Sequence, residues 1–132
     1  MDMADNSSTD ENGSARSGAA TTILLPQQAP AADPSRTSPV AERVVHADGG
    51  SIIVFTFAPG QSMPEHNAAH PITVQCISGH LNFTVGGESI SLDPGVVLHL
   101  DARVPHDVSC PENVTQNSVM LLTMLTGETV TG

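Results

Sequence analysis

Three histidines are the residues best placed for chemistry. His66 and His70 lie four residues apart in Pro64-Glu65-His66-Asn67-Ala68-Ala69-His70, and His106 comes much later, after Val104-Pro105. A loop can fold His66 and His70 towards one point, with His106 opposite. Three neutral imidazoles plus water would suit a divalent Zn, Fe, Ni or Cu ion, which could act as a Lewis acid or bind dioxygen. The other reading leaves His70 in solvent beside Pro71, with two imidazoles and no metal. One transition-metal ion and no cofactor at all are equally consistent with these residues.

Glu65 is the acidic side chain next to this group. Burial could raise its pKa and make it a general base. If His66 points inward, however, alternation along an extended chain turns Glu65 outward as a surface charge. Cys76 and Cys110 fall on inward positions of their segments, where cysteine behaves as a small apolar residue. A thiol assisting the site, or a disulfide between the two, are the alternatives. His80 falls on the polar face of its strand, His46 near a turn, and His99 between Leu98 and Leu100 at a partly exposed position. No nucleophile–base pair, phosphate loop or dinucleotide fingerprint is present.

The segments that must carry these histidines read as strands. Residues 40–46, 51–58, 72–78, 80–85, 88–92, 96–100, 106–110 and 118–125 are β-prone, and Asp48-Gly49-Gly50, Gly86-Gly87 and Asp93-Pro94-Gly95 lie between them as turns. Leu81, Phe83 and Val85 form one apolar face, and His80, Asn82 and Thr84 the opposite one. Residues 61–71 read as a loop. No segment reads as a helix. Gln75 falls outside if Ile72, Val74 and Cys76 line the interior.

Composition sets the frame. The chain has 132 residues and a net charge of −10, with four Arg and no Lys. One domain at most fits this length. The charge argues against nucleic acid, whose phosphates need cations, and against an anionic membrane surface. No apolar run is long enough to span a bilayer as a helix. Two cysteines are too few for a disulfide framework, and the polar, acidic start is not a signal peptide, so the expected compartment is the cytoplasm. Residues 1–20 lack any hydrophobic period and read as disordered. Ile23-Leu24-Leu25 is followed by Pro26, Pro30, Pro34 and Pro39, which suits a linker or an arm added to a sheet edge.

Gly60 with His66 and Gly79, then Gly95 with Val104-Pro105-His106, resembles the two motifs of the cupin superfamily over residues 41–126. The resemblance implies a small β-barrel of jelly-roll type. It also implies a metal site built from two histidines and an acidic or amide residue in the first motif, and one histidine in the second. Here the first histidine falls on His66 and the last on His106. The second falls on Ala68, and the acidic position on Ile72 or Thr73. Asp101 and Arg103 stand where the family has Pro and Gly, and Cys110 where it has Asn.

The expected organisation is a disordered tail or linker over 1–38, an all-β cupin barrel over 39–127 and a short C-terminal tail over 128–132. The barrel cavity is expected to be lined by Met63, Ile72, Val74, Cys76, Phe83 and Val108, with His66 and His106 as its polar groups. The expected function is that of a stand-alone cupin holding a small organic molecule there without an intact metal site. The alternative is a metal-dependent dioxygenase or isomerase using His66, His70 and His106. An interaction role for the tail is a third possibility. Residues 52–57 and 119–125 are apolar on both faces, which predicts a homodimer.

Overall fold

The computed structural model describes residues 8–9, 15–17 and 20–127. Ser8–Thr9 (β1), Ala15–Ser17 (β2) and Ala20–Thr22 (β3) pair as a small antiparallel sheet of their own. The disorder expected over 1–20 and the C-terminal tail expected over 128–132 otherwise lie outside the described residues.

Nine strands follow: Val40–Ala47 (β4), Gly50–Phe57 (β5), Ser62–His66 (β6), Ile72–Ser78 (β7), Leu81–Val85 (β8), Glu88–Leu92 (β9), Val97–Leu100 (β10), His106–Ser109 (β11) and Ser118–Leu125 (β12). They form two antiparallel sheets, one ordered β10-β7-β12-β5-β4 and the other β6-β11-β8-β9. The fold is all-β, as the alternating sequence predicts. Among the described residues no helix is long and apolar enough to cross a membrane.

Local chemistry sets the turns. Gly86 and Gly87 sit at φ 57° and 81° between β8 and β9, a two-residue turn that needs left-handed backbone at both positions. Gly79 is at φ 87°, and a Cβ there would meet the Cα of Ser118 at 2.8 Å. The Ser118 hydroxyl instead accepts from His80 N–H at 3.0 Å and donates to the His80 carbonyl at 3.1 Å. Only glycine admits this close approach.

The two sheets enclose one core. Phe57, Phe83, Leu81 and Leu92 are fully buried in it. Each contributes about 1.5–3 kcal/mol by leaving water. Along β7, Ile72, Val74 and Cys76 are buried while Thr73 and Gln75 are half-exposed, as alternation requires.

The first half of the expected loop 61–71 is instead a strand, β6. Pro64 hides it from a sequence reading. It is tolerated because β6 is an edge strand, where a missing N–H leaves no ladder partner unmet.

Residues 33–37, part of the expected tail, are strapped to the barrel through Gln61. That side chain is buried. Its Oε1 accepts from Ala58 N–H at 2.8 Å, and its Nε2 donates to the carbonyls of Asp33 at 2.7 Å and Arg36 at 3.0 Å. Ser62 N–H, at the start of β6, donates to the Thr37 carbonyl at 3.0 Å. Ile23 to Leu25 does not join either barrel sheet, and Leu24 is 61% exposed.

The outer face of the five-stranded sheet is apolar, as expected, but the single chain already covers part of it. Val54 and Val119 are buried although they lie outside the core cluster. Ile52, Leu121 and Leu125 remain half-buried, and Val97 on the edge strand is 64% exposed.

Candidate functional site

The site is built by two strands. β6 and β11 run antiparallel, and His66 is the direct cross-strand partner of His106. Two positions further, Val108 pairs with Met63, so three steps on β6 oppose two on β11. The extra residue is a bulge, a device that re-aims side chains beside functional sites. It lets both Met63 and His66 face inward, which plain alternation would forbid. Glu65, in the bulge, is exposed.

The rings then meet. His66 and His106 have centroids 4.4 Å apart at an interplanar angle of 62°, an edge-to-face contact. His106 also stacks on Phe83, at 5.2 Å and 11°. Phe83 reaches it because it pairs with Val108, the next inward residue along β11. His106 is buried and His66 half-buried, so the pair faces the barrel interior on one side and the rim on the other.

Both imidazoles are held in the same way. His66 Nδ1 lies 2.7 Å from the carbonyl of Pro64, and His106 Nδ1 lies 2.9 Å from that of Val104. A carbonyl only accepts, so each Nδ1 must carry the proton. In the neutral ring Nε2 is then left with a lone pair. Burial, with the charge of a protonated His66 beside it, holds the His106 pKa below the usual 6.5. His106 is thus neutral near pH 7, with Nε2 as an acceptor or base. The loops bearing the two rings are joined by Arg103 N–H, which donates to the Ala68 carbonyl at 2.7 Å.

His70 does not join them. Among the described residues, no three His, Cys, Asp or Glu side chains gather closely enough to hold an ion. Two imidazoles fall short of the three protein ligands of a catalytic zinc site. Ala68 and Ile72 offer no further donor. The donor set present does not fit a resident metal.

The other expected lining residues pack on one another. Ile72, Val74, Cys76, Phe83 and Val108 belong to the buried core, with Met63 half-buried against it. Among the described residues no cavity opens between them. The exposed and half-exposed residues near the pair lie instead at the rim, in residues 67–71 and 101–105.

The remaining candidates lie elsewhere. Cys76 and Cys110 are both buried and free. Burial pushes the Cys76 thiol up to about 11, helped by the nearby Asp93 carboxylate. Such a thiol is a poor nucleophile. His80 is less solvated than its strand position implies: Nδ1 lies 2.5 Å from Asp93 Oδ1 and Nε2 lies 3.2 Å from Asn82 Oδ1. His46 Nδ1 contacts Ser51 Oγ at 3.1 Å, and His99 is exposed on β10.

Comparison with known proteins agrees with this geometry. The family model described as "Cupin domain" matches residues 53–124, more than half of the chain. The chain belongs to the cupin family. No curated protein matches it. Among solved structures, it resembles a cupin superfamily protein from Desulfitobacterium hafniense at 21% identity and TM-score 0.65, covering 78% of this chain and 88% of that one. An RmlC-like cupin from Desulfovibrio desulfuricans is 26% identical with TM-score 0.62, covering 78% and 93%. An RmlC-like cupin with a double-stranded β-helix fold from Methanocaldococcus jannaschii is 15% identical with TM-score 0.59, covering 70% and 84%. The likeness at such identities is one of fold.

Proposed function

We propose that this chain is a stand-alone ligand-binding cupin whose recognition centre is the His66–His106 pair, working without a resident metal. The observation that carries this reading is the shared tautomer lock. Two neighbouring rings, with centroids 4.4 Å apart, each give Nδ1–H to a backbone carbonyl, which leaves a lone pair on Nε2 of each neutral ring. A small organic molecule with a hydroxyl or N–H group is the complement of two such acceptors. The lack of a cavity among the described core residues favours a position at the rim, on the half-buried side of His66, over one deep in the barrel. The dioxygenase or isomerase reading would need a third ligand that His70 does not supply.

The test is a thermal-shift screen of small organic molecules against the parent protein, His66→Gln and His106→Gln. A true ligand at 100 times its Kd stabilises the parent by about 2.7 kcal/mol and both variants far less. Equal stabilisation of all three proteins would place binding elsewhere. Stoichiometric transition metal in chelator-free protein, lost in either variant, would restore the metal reading.

A further inference from the structure

We propose that Arg103 sets the ligand class of this site: a small hydroxy acid, held by its carboxylate on the guanidinium and by its hydroxyl on the histidine pair. The inference rests on the reading of His66 and His106 as a ligand site.

Arg103 is at φ 67°, the one non-glycine residue at positive φ among those described. The left-handed backbone costs a residue with a Cβ about 1–2 kcal/mol. The backbone there has a task, since Arg103 N–H donates to the Ala68 carbonyl and ties the two histidine-bearing loops together. Glycine would perform that task without strain. The fold therefore explains the conformation but not the arginine. Strain retained at a residue with no structural return points to a functional side chain.

Among the described residues the guanidinium has no partner. Arg36 donates to Ser38 Oγ at 3.2 Å, and Arg43 lies 3.4 Å from His46 Nδ1. Arg103 is exposed, and among the described residues no hydrogen bond or ion pair engages its side chain. In a chain of net charge −10, a cation three residues before His106, on the loop tied to Ala68, is a local exception. Val104, the next residue, supplies the carbonyl that locks His106, so Arg103 is anchored at the lip of the pair.

Charge and hydrogen bonding together select the ligand. A guanidinium matches a carboxylate with two parallel N–H bonds. A ring whose proton is on Nδ1 accepts at Nε2, and so calls for a donor on the same molecule. Asp101 and Asp107 lie within four residues of Arg103, and Glu65 is next to His66 in the sequence, so their charge disfavours a dianion such as phosphate more than a monoanion.

The probes are lactate and mandelate, their amides, and inorganic phosphate, titrated while the imidazole resonances of His66 and His106 are followed by NMR. In the parent, both acids shift both rings, and the amides and phosphate bind at least about tenfold more weakly, the range of a charged hydrogen bond. Arg103→Gly keeps or raises the melting temperature yet loses the preference for acid over amide. If Arg103→Gly binds the acids as the parent does, or the amides match the acids, the inference is overturned while the ring shifts uphold the histidine site. If the acids bind and no ring shifts, or if no probe shifts either ring in the parent, the inference is overturned. In that case the screen against His66→Gln and His106→Gln decides the histidine site separately.

Discussion

Replacing Gln61 with alanine releases the strap formed by residues 33–37 and tests how the edge strand bearing His66 is supported. The side chain makes three hydrogen bonds, to Ala58 N–H and to the carbonyls of Asp33 and Arg36. Ala58 is buried, so its orphaned donor costs about 1–3 kcal/mol. The two tail carbonyls can turn to water, and losing those bonds costs about 0.5–1 kcal/mol each. The sum is about 2–5 kcal/mol, which lowers the melting temperature of a domain this size by about 8–40 °C. Native-state trypsin cleavage after Arg36 isolates the tail contribution. Its carbonyl is held by Gln61, and the next residue, Thr37, accepts from Ser62 N–H. Freeing 1–2 kcal/mol there speeds cleavage by about 5–30-fold. A melting loss under about 3 °C, or cleavage at Arg36 no faster than in the parent, refutes the argument that Gln61 holds the strap.

Three further outcomes follow from the packing. Gly79→Ala forces a Cβ into Ser118 at a backbone φ of 87°, and is expected to cost more than about 3 kcal/mol in urea unfolding; a cost under about 1 kcal/mol would mean that Gly79 and the start of β12 do not touch. The Cys76 thiol keeps its proton to about 11 when folded but loses it near 9.0 when unfolded. Stability should therefore fall as pH rises from 9 towards 11, and Cys76→Ala should flatten that slope. The half-buried Ile52, Leu121 and Leu125 and the exposed Val97 form an apolar face suited to a second copy, so sedimentation should show a dimer that Val97→Asp weakens. A monomer at high concentration would discard this pairing.

The strands and turns were legible because their signals are local. Leu81, Phe83 and Val85 alternate with polar neighbours, and Gly86-Gly87 marks the hairpin between β8 and β9. β6 was illegible because the bulge breaks the two-residue period and Pro64 reads as a breaker. The meeting of His66 and His106 was visible through motif spacing, though their direct pairing was not. What locks the rings was invisible: the carbonyls of Pro64 and Val104 are backbone, and every residue has one. That no cavity opens among the described core residues was equally hidden, since alternation says which side chains face inward but not whether they leave space. The strap through Gln61 joins residues more than twenty apart by backbone acceptors, which no periodicity reveals. Arg103 was seen as a departure from the family pattern, and its positive φ gives that departure a physical meaning.

The tautomer of the two rings tests the central claim most directly. Long-range proton–nitrogen NMR at pH 7.5 should show His66 and His106 both protonated on Nδ1, with cross-relaxation between the rings. On acidification, His106 should stay neutral to a pH below its ordinary 6.5, and the fold should lose stability as pH drops through that value. Rings protonated on Nε2, or showing no contact with each other, would contradict the account.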